Sequence, residues 1–134
     1  MSRNSDRNFF RHAPGAITVD TVGYFGHGEE VAIMFKRSHL ILVTAGPDED
    51  ETVDSDWHYN TVAAPTTWTA INLGATLDVG GATLTAAALA LQNGDAGVDL
   101  DVRVPAESVV RNTLDVEGTT PAITVIAIGE YVTI

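Results

Sequence analysis

The sequence predicts an all-β domain, an antiparallel β-sandwich or barrel with a jelly-roll-like form among the candidates. Two observations lead there. Short runs of Val, Ile and Leu alternate with polar residues, the period of strands that keep one face in a core. Gly, Pro, Asn and Asp punctuate those runs at short, regular intervals, with few convincing helical stretches between them, which suits about eight to ten strands. The clearest run is Val98-Asp99-Leu100-Asp101-Val102-Arg103-Val104, closed by Pro105, and the rest of the chain repeats its theme.

Residues 1–15 read as an extended N-terminal arm and residues 16–134 as the β body. The arm is polar, carries Arg3, Arg7 and Arg11, and closes on Pro14-Gly15, a turn signal. Phe9-Phe10 is out of place in a solvated tail. Either the rings tuck onto the domain's own core, or they anchor the arm on a neighbouring subunit while the arginines pair with acidic surface. Arg3, Arg7, Phe9, Phe10 and Arg11 are therefore the candidate interaction residues.

Residues 16–25 predict a strand broken at Gly23, followed by a Gly26-His27-Gly28 loop. Residues 29–37 suit a short helix by their flanking charges, but the alternation of Val31, Ile33 and Phe35 beside other strands favours a strand. Residues 40–43 follow as a separate buried strand that ends at Gly46-Pro47. Residues 48–56, the most charged segment, predict a solvated acidic loop leading into Trp57-His58-Tyr59. A strand is expected over 66–73, and Gly80-Gly81 marks a hairpin between residues 77–79 and 83–85. Residues 86–91 have helical propensity, yet Asn93-Gly94 downstream looks like a hairpin turn, so they are read as a strand. Residues 108–116 are irregular or a short strand. Residues 123–128 are apolar on both faces and belong in the middle of a sheet or against a second layer. Residues 131–134 form a last strand.

A chain of 134 residues is one domain, long enough to bury a core without staples. It has no cysteine, which excludes disulfides and thiolate metal sites. Lys+Arg number 7 against 18 Asp+Glu, a net charge of −11, and Lys36 is the only lysine. An acidic surface almost free of lysine resembles that of proteins from extreme halophiles, where salt screens self-repulsion and carboxylates hold hydration. Such a body repels nucleic acid and anionic membranes. The opening residues lack the apolar core of a signal peptide, and no run approaches a membrane span.

No catalytic constellation stands out, so the expectation is a protein without enzymatic activity. His12, His27, His39 and His58 lack the i, i+4 spacing of a helical zinc pair. An enzyme reading would need His27 or His58 in a concave site with a displaced pKa. Asp50, Asp54 and Asp56, with Thr52, offer alternating oxygens to a cation, but the glycine and closing glutamate of an EF-hand are missing. No cofactor is expected beyond loosely bound cations. Trp57, Tyr59 and Trp68 could form a row of exposed rings for stacking sugars, or bury in the core. That row underlies the alternative function, a carbohydrate- or cell-surface-binding sandwich module.

A β body with an arginine- and Phe-bearing arm, and no catalytic set, suits a subunit of an assembly. In size, arm and composition the chain resembles capsid decoration (cement) proteins, or related virion structural proteins, of haloarchaeal tailed viruses. That resemblance implies capsid or other virion subunits as partners, homo-oligomers such as trimers, assembly in the host cytoplasm, residence in the virion and no catalysis.

Overall fold

A computed structural model describes residues 7–27, 31–74, 76–80, 88–91, 100–119 and 121–134. They form β1 (Arg7–His12), β2 (Ala16–Ile17), β3 (Thr21–His27), β4 (Ile33–Thr44), β5 (Thr52–Thr61) and β6 (Ala64–Leu73). The chain continues with β7 (Leu77–Asp78), β8 (Ala88–Leu91), β9 (Val102–Val104), β10 (Ser108–Glu117) and β11 (Ile123–Thr133). Sheet one runs β1-β11-β4-β8, with β2 on β11 and β9 on β4; sheet two runs β3-β10-β5-β6, with β7 on β5. All strand pairs are antiparallel.

The two sheets make the architecture a sandwich, and the strand order specifies which kind. Count β1 with β2, β6 with β7 and β8 with β9 as single strands. Eight strands then run first-eighth-third-sixth in one sheet and second-seventh-fourth-fifth in the other. That is the jelly roll, in which paired strands fold over to build both sheets together.

Alternation builds the core. Val53, Ser55 and Trp57 of β5, Val110, Asn112 and Leu114 of β10, and Ile123, Val125 and Ala127 of β11 are buried, with their neighbours turned outward. At its centre Trp57 of sheet two lies 5.4 Å from the Phe35 ring and 6.2 Å from the Phe10 ring of sheet one, centroid to centroid. Phe10 also stacks on Tyr131 at 4.3 Å. Gly129 makes this approach possible, since a Cβ there would sit 2.6 Å from the Phe35 ring. Two polar links cross the apolar layer. His12 Nδ1 is 2.8 Å from Asn112 Oδ1, and Asn112 Nδ2 donates to Ser55 Oγ at 3.0 Å. Ser38 Oγ donates to Asn72 Oδ1 at 2.6 Å. Each link satisfies buried polar groups and ties one sheet to the other.

Several expectations change. The arm boundary moves: residues 7–12 are an edge strand paired with β11 from Arg7↔Val132 to His12↔Ala127. Phe10 is buried in this chain's own core, so it is no anchor on a neighbour; residues 1–6, Arg3 among them, lie outside the described residues. Pairing with β11 gives the strand a ladder along one side and brings Phe10 to its aromatic partners in the core, burial a solvated arm does not have. Residues 29–37 and 40–43 do not form two elements, because Ile33–Thr44 runs as one strand through Ser38 and His39. Residues 108–116 and 123–134 likewise give the two long strands β10 and β11, each flanked on both sides. Of the described residues in the run 98–104, Val102–Val104 form strand and Leu100 and Asp101 do not. Asp101 adopts a left-handed φ of 51°, which breaks the alternation, while Leu100 donates its N–H to the Lys36 carbonyl. Residues 98 and 99, and the hairpin expected at 81–85, lie outside the described residues.

Candidate functional site

The acidic segment is mostly strand, and that relocates its chemistry. Thr52–Thr61 forms β5, with Asp54, Asp56 and His58 on its outer face. Asp50 turns to Thr119, whose hydroxyl donates at 2.6 Å and whose amide donates at 3.1 Å. Those two bonds hold the Asp50 carboxyl below the usual carboxylate range. Asp50, Asp54 and Asp56 therefore do not converge on one ion, and the described residues hold no group of three or more His, Asp or Glu fit to bind a metal.

Glu51, which the charge of residues 48–56 assigns to a solvated loop, is fully buried. Its Oε1 accepts the Asp48 N–H at 3.0 Å and its Oε2 accepts the Ala122 N–H at 3.4 Å. A Cβ on Gly46 would lie 1.4 Å from Oε2, so glycine is required beside the carboxylate. The sequence signal for this site is diffuse: three separate glycines, Gly46, Gly80 and Gly118, close on one glutamate.

The expected row of rings does not exist. Trp57 and Tyr59 share the inner face of β5, Trp57 fully buried and Tyr59 packed against the core. Trp68 stays on the outer face of sheet two, where the Arg111 guanidinium sits 4.1 Å over its ring. Tyr24, 63% exposed, is its aromatic neighbour at 6.1 Å. His58 pairs in register with Arg111, on this open face. Burial lowers its pKa first, then the Arg111 charge, against a smaller opposing pull from Asp56. His27 sits three rungs away, opposite Ser108. The two histidines are not brought together.

What the fold does bring together is charge. Among the described residues, sheet two's strands carry Asp54, Asp56, Asp78, Asp115 and Glu117, with Arg111 their only Lys or Arg. Sheet one's strands carry Arg7, Arg11, Lys36, Arg37 and Arg103, with Glu130 their only acid. The strong net acidity thus lies on loops and on one sheet. Sheet one's outer face is also apolar: Ile126 and Ile128 on β11 and Ile41 on β4 are only half-buried, and Phe9 is 58% exposed. Phe9, Arg11 and Ile128 line a shallow depression of about 360 Å³. On the same face His39 lies 3.8 Å from the buried Glu130. Burial lowers the His39 pKa, while Glu130 raises it and Arg37 opposes that.

On sheet two, Asp115 pairs directly with Asp54 across the strands. Desolvation raises the Asp115 pKa first, and the charges of Asp20, Asp56, Asp54 and Glu117 add to it. Desolvation likewise raises that of Asp56, against the hydrogen bond from the Gly74 amide. A carboxyl with a raised folded-state pKa contributes most to stability while protonated, below the unfolded value of about 3.9. That contribution is lost as pH rises from there through the folded pKa. Asp115→Asn should therefore raise Tm at neutral pH, and the gain should shrink towards zero as the pH falls below that window. Thermal melts across pH, in low and molar KCl, read this out; salt should diminish the part due to neighbouring charges. A neutral-pH loss of stability would refute the repulsion.

No protein-family model and no curated protein matches this chain. Among solved structures it is similar to the VP2 subviral particle of infectious bursal disease virus, with a TM-score of 0.44 and 8% identity over 95% of this chain and 33% of that one. Structures of the Gx and Gt strains of the same virus give TM-scores of 0.37 and 0.34 at 10% identity. The Gx match covers 95% of this chain and 31% of that chain, and the Gt match covers 92% and 29%. The chain thus spans about a third of the length of the solved chains it matches.

Proposed function

We propose that this chain is a non-enzymatic structural subunit of a virion, decorating or stabilising a capsid through subunit–subunit contacts in high salt. The observation that carries the reading is the outer face of sheet one, where Phe9, Ile41, Ile126 and Ile128 lie among arginines on a protein of net charge −11. An antiparallel sheet that faces only water has a polar outer side, and contiguous exposed apolar surface with basic residues marks a place where another protein sits. The jelly roll serves capsid proteins and lectins alike, so the fold does not choose between them. The lysine-poor acidity supports the high-salt setting.

The test is co-sedimentation, in molar KCl, with capsids of a haloarchaeal tailed virus assembled without this protein. Binding is expected, with loss in Phe9→Asp/Arg11→Glu, a pair of exposed positions whose replacement leaves the core intact. Capsids that ignore the protein, or bind both forms equally, refute the reading. The glycan alternative retains Trp68, joined by Tyr24. Glycan binding lost in Tyr24→Ala/Trp68→Ala, with no capsid binding by the parent protein, would replace the virion reading.

A further inference from the structure

We infer that the outer face of sheet one is a docking surface for a second copy of this chain, and that it takes the outer face of that copy's sheet two. The inference rests on reading the chain as an assembling subunit and names the two surfaces that meet.

Charge selects this occupant. Two sheet-one faces docked symmetrically would bring the Arg11- and Arg37-bearing surface against a surface of the same sign. A sheet-two face offers Asp54, Asp115 and Glu117 instead, at the end of the sheet whose described strand residues include no arginine or lysine. Asp54 and Asp115 stand directly opposite one another across β5 and β10, and an arriving guanidinium relieves that like-charge juxtaposition. Apolar surface matches too. Tyr24 and Val22, 63% and 42% exposed, stand on sheet two, ready to meet Phe9 and the depression it lines with Ile128.

Size agrees. The six strand segments of sheet one, at about 4.8 Å between strands and about 3.3 Å per residue, present on the order of 600 Å². A standard interface buries about 800 Å² per partner. The two surfaces differ, so the contact is head-to-tail. It closes into a ring if the rotation permits and otherwise grows as a stack.

A complementation experiment decides. Sedimentation velocity is run on the full chain and on two variants, Phe9→Asp/Arg11→Glu on one face and Asp115→Lys/Glu117→Lys on the other. Circular dichroism melts establish that each variant is folded, and Asp54→Lys replaces the second pair if it is not. The parent protein should form oligomers whose mass grows with concentration. Each variant alone should self-associate at least about a hundredfold more weakly, the scale measured for paired interfacial charges. Their equimolar mixture should recover association at least to dimers, because each contributes its one intact face.

A parent protein that stays monomeric at every concentration overturns the inference, as does a sheet-two variant that assembles like the parent or a mixture that gives no dimer. The virion reading is judged apart: a monomer that still binds capsids leaves it standing and sinks this one. Complementation without capsid binding does the reverse.

Discussion

Trp57→Ala should lower the free energy of unfolding by about 3–5 kcal/mol, the range for removing a large aromatic from a packed core. Trp57 is fully buried between the sheets, with the Phe35, Phe25 and Phe10 rings at 5.4, 5.9 and 6.2 Å. Its removal leaves a cavity that strands held by long ladders on both sides cannot close. Domains of this kind have only about 5–15 kcal/mol in hand, so the melting point should fall by roughly 10–20 °C. Trp57→Phe should cost less than half as much, because the indole Nε1 has no hydrogen-bond partner among the described residues and nothing polar is orphaned. Trp68→Ala, on the outer face against Arg111, should cost about 1 kcal/mol or less. Urea titrations of the three variants measure the order. Equal losses at Trp57 and Trp68 would overturn the inward assignment of β5's odd positions.

Glu51→Ala should destabilise by about 3 kcal/mol or more, because it orphans two amide donors and leaves a cavity in a packed corner. The amides of Asp48 and Ala122 lose their acceptor, and the space among Gly46, Gly80 and Gly118 empties. That corner also holds the segment before β5 to the chain after β7, since the Val79 amide donates to the Glu51 carbonyl at 3.0 Å. Gly46→Ala should be comparably damaging for the opposite reason: its methyl would lie 1.4 Å from Oε2. The double variant Glu51→Ala/Gly46→Ala should be more stable than the sum of the two losses, by about 1 kcal/mol or more, because the added methyl occupies volume the carboxylate vacated. Chemical denaturation of all four proteins closes the cycle. Strict additivity would mean that the two residues do not touch.

The two predictions also mark where local sequence stops being informative. Period-two alternation made the all-β class legible, apolar residues on both faces placed Ile123 to Ile128 in the middle of a sheet, and the turn signal at Asn93-Gly94 had residues 86–91 read as strand, as 88–91 are. The same alternation was present in Val53, Ser55 and Trp57, but the carboxylates between them read as a solvated loop. A half-buried strand with acids on its wet face has the composition of a loop, and only its pairing with β10 distinguishes the two. Residues 7–12 pose the same ambiguity: a Phe-bearing strand has one pattern whether it pairs within its own chain or with a neighbour.

Composition and periodicity carried the β architecture, the freedom from cysteine and the excess of acid. Tertiary structure alone decided that Phe10 faces inward beside Tyr131, that Glu51 is buried among amides and glycines, and that arginines and acids part onto opposite sheets. Alternation within a strand settles which side chains share a face. Which faces meet depends on ladders between segments such as Arg7–His12 and Ile123–Thr133, more than a hundred residues apart, and register over that span is written in no local stretch.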